Sequence, residues 1–112
     1  MEDRLSHSLS ALADPTRRGI LARLARGEAS VAELAQPFGI SQPAISRHLK
    51  VLEKAGLIET RQSAQSRLRR LKPGAMDEVG VWITHFRNLW SDNFDRLDDY
   101  LKAEASAEMK GA

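Results

Sequence analysis

The chain of 112 residues contains no cysteine. This absence excludes disulfide bonds, thiolate metal ligands and cysteine nucleophiles, and it fits a reducing compartment. No apolar run approaches the roughly 20 residues that cross a bilayer, and the signal-peptide pattern is missing. We therefore expect a cytoplasmic protein with no membrane partner. Phosphate-binding glycine loops, nucleophile–base pairs and paired carboxylates in apolar surroundings are also lacking, so the sequence predicts no catalytic residues, no enzyme and no cofactor.

The composition of the chain and the distribution of its charge indicate the number of domains and the class of partner. A chain with 42% apolar and 29% charged residues predicts one globular domain over residues 1–112. The charge is uneven, because residues 1–74 hold 13 Lys and Arg against 7 Asp and Glu, a net charge of +6. Residues 75–112 hold 4 against 8, a net charge of −4. A basic body favours contact with nucleic acid, and the acidic segment should point away from phosphate.

Capping residues predict the first helices. A short helix at about residues 4–12 has an apolar stripe of Leu5, Leu9 and Leu12. Asp14 and Pro15 are typical of the N-cap and first position of a second helix, which Gly27 ends.

A third helix and a tight turn follow. Ser30 and Glu33 have the spacing of a capping box. Pro37 is expected to stop this helix, and Phe38 and Ile40 to fill the corner that comes after it.

The fourth helix, over residues 41–55, has two different faces. Its inner face holds Ile45, Leu49 and Leu52. The opposite surface has no acidic residue before Glu53; it holds Pro43, Ser46, Arg47, Lys50 and Lys54, with Gln42 at its leading edge. Ser41 is expected to cap the helix, and we predict that all seven residues contact DNA. Two short helices joined by a tight turn predict a helix-turn-helix, whose second helix can lie in the major groove of DNA.

Within that surface we assign different roles. Gln42 and Arg47 are expected to reach base edges, and Lys50 and Lys54 to touch phosphate. His48, at the border of the inner face, is expected to be partly buried and bonded to a carbonyl or a phosphate.

A basic hairpin is predicted over residues 57–72. Two strands, Leu57–Thr60 and Leu68–Leu71, enclose a polar tip, and a bulge or early end is expected in the second strand. Five cations have only Glu59 nearby: Arg61, Arg67, Arg69, Arg70 and Lys72. Of these, we predict DNA contacts for Arg61, Arg67 and Arg69, on the backbone or the minor groove. Arg17 and Arg18 fit either a phosphate contact or a structural ion pair.

The last helix, at about residues 76–103 with a break near Gly80, has a wide apolar stripe. The stripe exceeds what one small domain needs to cover its core, which indicates an interface. We predict a homodimer whose seam contains Leu5, Leu9, Trp82, Phe86, Leu89 and Trp90.

Three sequence blocks resemble one family. The runs Asp-Pro-Thr-Arg-Arg-Gly-Ile-Leu (14–21), Gly-Ile-Ser-Gln-Pro-Ala-Ile-Ser-Arg-His-Leu (39–49) and Val-Leu-Glu-Lys-Ala-Gly-Leu-Ile (51–58) are similar to the ArsR/SmtB family. The resemblance implies a mainly α fold with a small β-hairpin. In that fold a winged helix-turn-helix core at 14–74 is flanked by dimerisation helices at about 4–12 and 76–103. It also implies a homodimer that represses transcription by occupying a DNA operator, and in many members an effector releases the DNA.

Departures from the family pattern leave the effector open. The family's thiolate site would need cysteines on the helix at 31–36, and a second site would need an Asp-x-His before His85; the sequence has neither. The hairpin also departs, because it ends in Arg67-Leu68-Arg69-Arg70-Leu71 where related wings often carry a tyrosine. The aromatic last helix resembles a subgroup without metal ligands that is sometimes encoded beside small hydrophobic-ligand-binding proteins.

Three alternatives stay open. The first is an unknown small-molecule effector, and the second is a metal held by His7 and His85 with Asp77, Asp92 or Asp95, although we assign no metal residue. The third is a winged helix used only for protein contact, which would need neither the acid-free face nor the basic hairpin.

Overall fold

The computed structural model describes residues 3–111, with side chains through Ala107. Residues 1, 2 and 112 of the predicted domain therefore lie outside the described part. The chain divides into two compact units, with the boundary between Val79 and Gly80. The prediction of a single domain over 1–112 stays a prediction.

The first unit is an arrangement of short helices followed by a hairpin. In chain order the elements are α1 (Arg4–Leu12), α2 (Pro15–Leu24), α3 (Val31–Ala35), α4 (Gln42–Lys54), β1 (Ile58–Ser63), β2 (Ser66–Leu71) and α5 (Asp77–Gly111), which continues into the second unit. One turn of 3₁₀ helix, Gln36–Phe38, joins α3 to the turn before α4. The predicted class, mainly α with a small β-hairpin, is confirmed.

Side-chain caps start α2, α3 and α4 where the sequence predicts them. Asp14 accepts a hydrogen bond of 3.0 Å from the backbone N–H of Arg17. Ser30 and Glu33 form a reciprocal capping box, each side chain accepting from the other residue's backbone N–H at 3.2 Å. The Ser41 hydroxyl accepts from the Ala44 N–H at 3.3 Å. These bonds satisfy N–H groups that have no partner inside their own helix.

The core lies between α2, α3, α4 and the start of the hairpin. Its largest fully buried side chains in the first unit include Ile20, Leu34, Ile45, Leu49, Leu52 and Leu57. Helix α1 buries Ser8 and Ala11, whereas Leu5 and Leu9, which are predicted to lie at a dimer seam, are half-buried. Small side chains at these positions let α1 approach its neighbours closely, which leaves part of its leucine stripe at the surface.

The turn before α4 is only partly as predicted. Phe38 packs over α2 at Gly19, where an added Cβ would lie 2.7 Å from the ring carbon Cε1. Gly39 then adopts φ 64°, a left-handed conformation that glycine reaches without steric cost. The prediction that Ile40 also fills the corner is wrong, since its side chain is exposed.

The hairpin is longer and more regular than predicted. The register runs from Ile58 opposite Leu71 to Ser63 opposite Ser66, with consecutive pairs and no bulge. The predicted bulge is wrong because Leu68 and Leu71 can lie on opposite faces of a regular strand, both half-buried. A two-residue loop closes the strands. In addition Ala29 pairs with Arg69 as an isolated antiparallel bridge, a contact that the sequence did not reveal.

The second unit consists of the rest of α5, which is continuous from Asp77 to Gly111. The break near Gly80 and the end at Ala103 are therefore wrong. Four aromatic side chains spaced four residues apart form one ridge. The ring centroids of Trp82 and Phe86 are 5.2 Å apart, those of Phe86 and Trp90 5.7 Å, and those of Trp90 and Phe94 5.2 Å. Between residues 3 and 111, no helix combines the length and hydropathy needed to cross a membrane.

Candidate nucleic-acid interface

The outer surface of α4 presents polar and basic side chains together. Ile45, Leu49 and Leu52 face the core, which directs the other side of the helix outward. The surface side chains are Gln42, Pro43, Arg47, Lys50 and Lys54, which are exposed, and Ser46, which is half-buried. Ser41 stands at the N-cap of this helix. The α4 side chains that are predicted to contact DNA therefore lie together on its outer surface, with Ser41 at the start of the helix.

Glu53, the first acidic residue of α4, is engaged by the hairpin. Thr60 of β1 donates a hydrogen bond from its hydroxyl to Glu53. From β2, the Nε of Arg69 lies 3.6 Å from the Glu53 carboxylate, and the Arg69 side chain is only 13% exposed. The carboxylate that would repel phosphate is therefore held against the hairpin, away from the outer surface of α4.

Three of the five hairpin cations are paired with carboxylates. Arg69 faces Glu53, as described, and Arg70 donates to Glu59 at 2.7 Å. Arg61 binds Glu28 through two hydrogen bonds, with Nε 2.9 Å from Oε2. The expectation that only Glu59 lies near these cations is wrong, because the chain brings Glu28 from the α2–α3 connection and Glu53 from α4 beside the hairpin.

These pairs shift the titration of their members. The Arg61 guanidinium, donating to Glu28, lowers the pKa of that carboxyl, and the same bond raises the pKa of Arg61. Backbone N–H donation from Ser30 likewise lowers the pKa of Glu33 in the capping box. Glu28 and Arg61 are therefore both charged at neutral pH and hold the side of the hairpin to the loop before α3.

The strand register divides the hairpin into two faces. Thr60 opposite Arg69 and Gln62 opposite Arg67 are alternate pairs, so they share the face that contacts Glu53. Arg61 belongs to the other face. Gln62 and Arg67 are exposed and lie toward the tip. The sequence prediction omitted Gln62, because its place on this face follows from the pairing of the two strands, which the sequence alone does not give.

Arg17, Arg18 and His48 are occupied within the first unit. Arg18 donates to the Leu12 carbonyl at 2.7 Å, and Arg17 donates to the Ala11 carbonyl at 2.7 Å. Both arginines thus bind carbonyls at the end of α1, and the two predicted alternatives, a phosphate contact or a structural ion pair, stay predictions. His48 is half-buried as predicted, with its Nδ1 3.5 Å from Nη1 of Arg17.

The residues predicted at a dimer seam expose apolar surface. Trp82, Phe86, Leu89 and Trp90 are between 41% and 51% exposed, and Leu5 and Leu9 of α1 are half-buried. Among the described side chains, no three His, Asp or Glu residues are grouped so that they could hold a metal ion. The seam and the metal pair of His7 and His85 stay predictions.

A helix-turn-helix followed by a two-stranded hairpin with exposed cations defines the winged helix-turn-helix class. The family model described as a helix-turn-helix domain matches residues 12–61. The HTH-type transcriptional regulator Rv2034 of Mycobacterium tuberculosis is 49% identical over 76 residues, which are 68% of this chain and 71% of the relative. The transcriptional repressor SdpR of Bacillus subtilis is 32% identical over 84 residues, 75% of this chain and 93% of the relative.

Solved structures of related regulators have a similar fold. The crystal structure of an ArsR family transcriptional regulator matches with a TM-score of 0.71 and 37% identity, covering 80% of this chain and 98% of that one. A Mycobacterium bovis structure, described as a homodimeric winged helix-turn-helix DNA-binding domain of a possible ArsR-family regulator, matches with a TM-score of 0.64. Its identity is 26%, over 77% of this chain and 80% of that one. The chain belongs to the ArsR/SmtB-type helix-turn-helix regulators, a family of transcriptional regulators and repressors.

Proposed function

We propose that this chain is a cytoplasmic repressor that binds a specific double-stranded DNA operator as a homodimer. Helix α4 enters the major groove, and the hairpin, which serves as the wing, contacts the backbone or the minor groove. The dimer blocks transcription by occupying the operator. The proposal includes no enzymatic activity, cofactor or effector.

The observation that carries this proposal is the outer surface of α4. A helix that lies between phosphates cannot present a carboxylate to them, and here Glu53 is engaged by Thr60 and Arg69. The amide of Gln42 and the guanidinium of Arg47 have the donors that pair with adenine and guanine edges in the major groove. Lys50 and Lys54 supply positive charge for the backbone.

The wing contributes a smaller set of contacts than its composition predicts. Arg61 and Arg69 are bound to Glu28 and Glu53, so we leave them out of the proposed DNA contacts. Arg67 is kept and Gln62 is added, because both share the sheet face that is turned toward α4 and lie near the tip.

The exposed ridge on α5 supports a second copy as partner. These aromatic side chains are about half-exposed in one chain, so a partner that covers them removes apolar surface from water and stabilises the complex. A two-fold dimer presents two copies of α4 to half-sites about one helical turn of DNA apart, which lengthens the sequence that is read. The Mycobacterium bovis relative, described as homodimeric, is consistent with this arrangement.

The test is selection of bound duplexes from a random-sequence pool, followed by fluorescence anisotropy on the selected and a scrambled duplex across salt. We expect much tighter binding to the selected duplex, with a palindromic site and two protomers per duplex. Absence of binding at low salt would instead favour a winged helix that contacts protein, and equal weak binding to both duplexes would refute sequence-specific reading.

A pair of variants separates base reading from general charge. Arg47→Ala should weaken the selected duplex by about tenfold or more and the scrambled duplex much less. Arg26→Ala is the matched control, since it removes one exposed positive charge outside the proposed surface. An equal effect of Arg47→Ala on both duplexes would show that Arg47 does not read bases.

A further inference from the structure

One guanidinium contacts two other helices from the start of α2. Arg17 donates from Nε to the Ala11 carbonyl at 2.7 Å and from Nη2 to the Ser10 carbonyl at 3.2 Å, in the last turn of α1. Its Nη1 lies 3.5 Å from Nδ1 of His48 on α4. Its own backbone N–H is held by the Asp14 side chain at 3.0 Å. Arg17 therefore links α1 and α4 from a fixed position on α2.

The α1 end of this link depends on arginine. Helix α1 has nine residues, a length that is marginal for a helix without outside support. Its C-terminal carbonyls form the negative end of the helix and favour a cation. Arg17 and Arg18 bind three of these carbonyls, but only Arg17 also reaches α4. A lysine could not replace it, because one ammonium cannot follow the planar fork to several acceptors.

The α4 end of the link lies next to the proposed base-reading surface. His48 follows Arg47 directly, and its Nδ1 also lies 3.9 Å from the Asp14 carboxylate. With Nδ1 unprotonated, His48 accepts from Arg17, and Asp14 is a neighbour that Nδ1 does not bind. The contact with Arg17 opposes rotation of α4 about its axis. At the radius of about 5–6 Å to which side chains extend, a rotation of about 20° moves a side-chain tip by about 2 Å. Such a movement is sufficient to break a bidentate contact with a base.

We propose that Arg17 is a positioning residue for DNA recognition, which sets the orientation of α4 through His48 and ties that orientation to the end of α1. The inference rests on the proposed function. In this proposal Arg17 does not contact DNA. It controls how strongly the chain discriminates between DNA sequences, and it does not control the overall electrostatic attraction for DNA.

The experiment compares Arg17→Gln with Arg18→Gln on the duplex selected by the wild-type chain and on its scrambled control. Both variants remove one charge and at least one bond to α1, but only Arg17→Gln removes the contact with α4. We expect Arg17→Gln to reduce the ratio of selected to scrambled affinity by about tenfold, with an unchanged salt slope, and Arg18→Gln to keep the ratio. Thermal unfolding measures how far each variant destabilises the fold.

A second pair tests the same contact from α4 without disturbing α1. His48→Asn keeps an acceptor near the Nδ1 position and should retain most of the discrimination, whereas His48→Leu should lose as much as Arg17→Gln does. Combining His48→Leu with Arg17→Gln should add little to the loss from either change alone.

Different results of these experiments would refute the positioning role of Arg17 or the proposed function itself. Equal loss of discrimination in Arg17→Gln and Arg18→Gln, or an unchanged ratio in folded Arg17→Gln and His48→Leu, would refute the positioning role. A salt slope flattened by about one unit per protomer in Arg17→Gln would instead make Arg17 a phosphate ligand and refute the proposal. Failure of the wild-type chain to select any duplex would refute the proposed function itself.

Discussion

The two faces of the wing predict opposite consequences for two arginines that the sequence treats alike. Arg67 lies beside Gln62 on the face that contacts α4, whereas the Arg61 guanidinium is bound to Glu28. Replacing Arg67 with alanine should therefore remove a phosphate contact, and replacing Arg61 should not. The quantity that separates the two variants is the slope of log affinity against log salt concentration.

The expected magnitude follows from counterion release. Each phosphate contact contributes about 0.9 to the slope, and a two-fold dimer carries two wings, so Arg67→Ala should reduce the slope by about 1.8. Over a fourfold increase in salt, such as about 50 to about 200 mM, the variant should lose about tenfold less affinity than the wild-type chain does. Fluorescence anisotropy at five or more salt concentrations measures this directly.

The matched control is the pair Arg61→Gln with Glu28→Gln, which replaces two opposite charges with neutral amides and leaves the net charge unchanged. We expect a salt slope equal to that of the wild-type chain. A slope reduced as much as in Arg67→Ala would show that Arg61 leaves Glu28 to bind DNA, and the assignment of the two faces would be wrong.

Three further predictions concern packing, assembly and pH. Gly19→Ala should destabilise the chain by about 1 kcal/mol, because the contact with Phe38 outweighs the better helix propensity of alanine. In a Phe38→Leu background the same change should stabilise, and the same sign in both melts would contradict this. Trp90→Ala should weaken the proposed dimer roughly a thousandfold, since about 2 kcal/mol is lost at each of two copies; analytical ultracentrifugation would refute it by finding an unchanged dissociation constant. Because the pKa values of Glu28 and Glu33 are lowered in the folded chain, their ionised forms stabilise it above the ordinary carboxyl pKa of about 4. That stabilisation is lost as pH falls through the lowered values, so a melting temperature that stays constant on acidification contradicts it.

Local chemistry explains which elements the sequence predicts correctly. The starts of α2, α3 and α4 depend on a side chain and an N–H group three residues apart, so the capping residues Asp14, Ser30 and Ser41 are sufficient to identify them. The inner face of α4 follows from helical periodicity in the same way. These interactions are complete within one turn of helix and do not depend on the rest of the fold.

Contacts between distant segments explain what the sequence does not predict. Glu28 and Arg61 are 33 residues apart, and no periodic pattern marks them as partners. The backbone bridge between Ala29 and Arg69 also joins segments that are distant in sequence, and it holds Arg69 away from the surface. Burial of Ser8 rather than of the nearby leucines reflects how closely α1 approaches its neighbours, which hydrophobicity alone does not indicate.

The division of arginines in the wing has a consequence for how such a regulator diverges. Arg61 and Arg69 attach the hairpin to Glu28 and Glu53, and Arg70 joins the two strands through Glu59 of β1. Arg67 stands apart from these pairs at the exposed tip. Substitutions near the tip can then retune the attraction for DNA while the attachment of the wing is preserved. Under the proposed function, duplicated copies of this chain change their affinity for DNA through a few surface substitutions at the tip, with little demand for compensating mutations inside the fold.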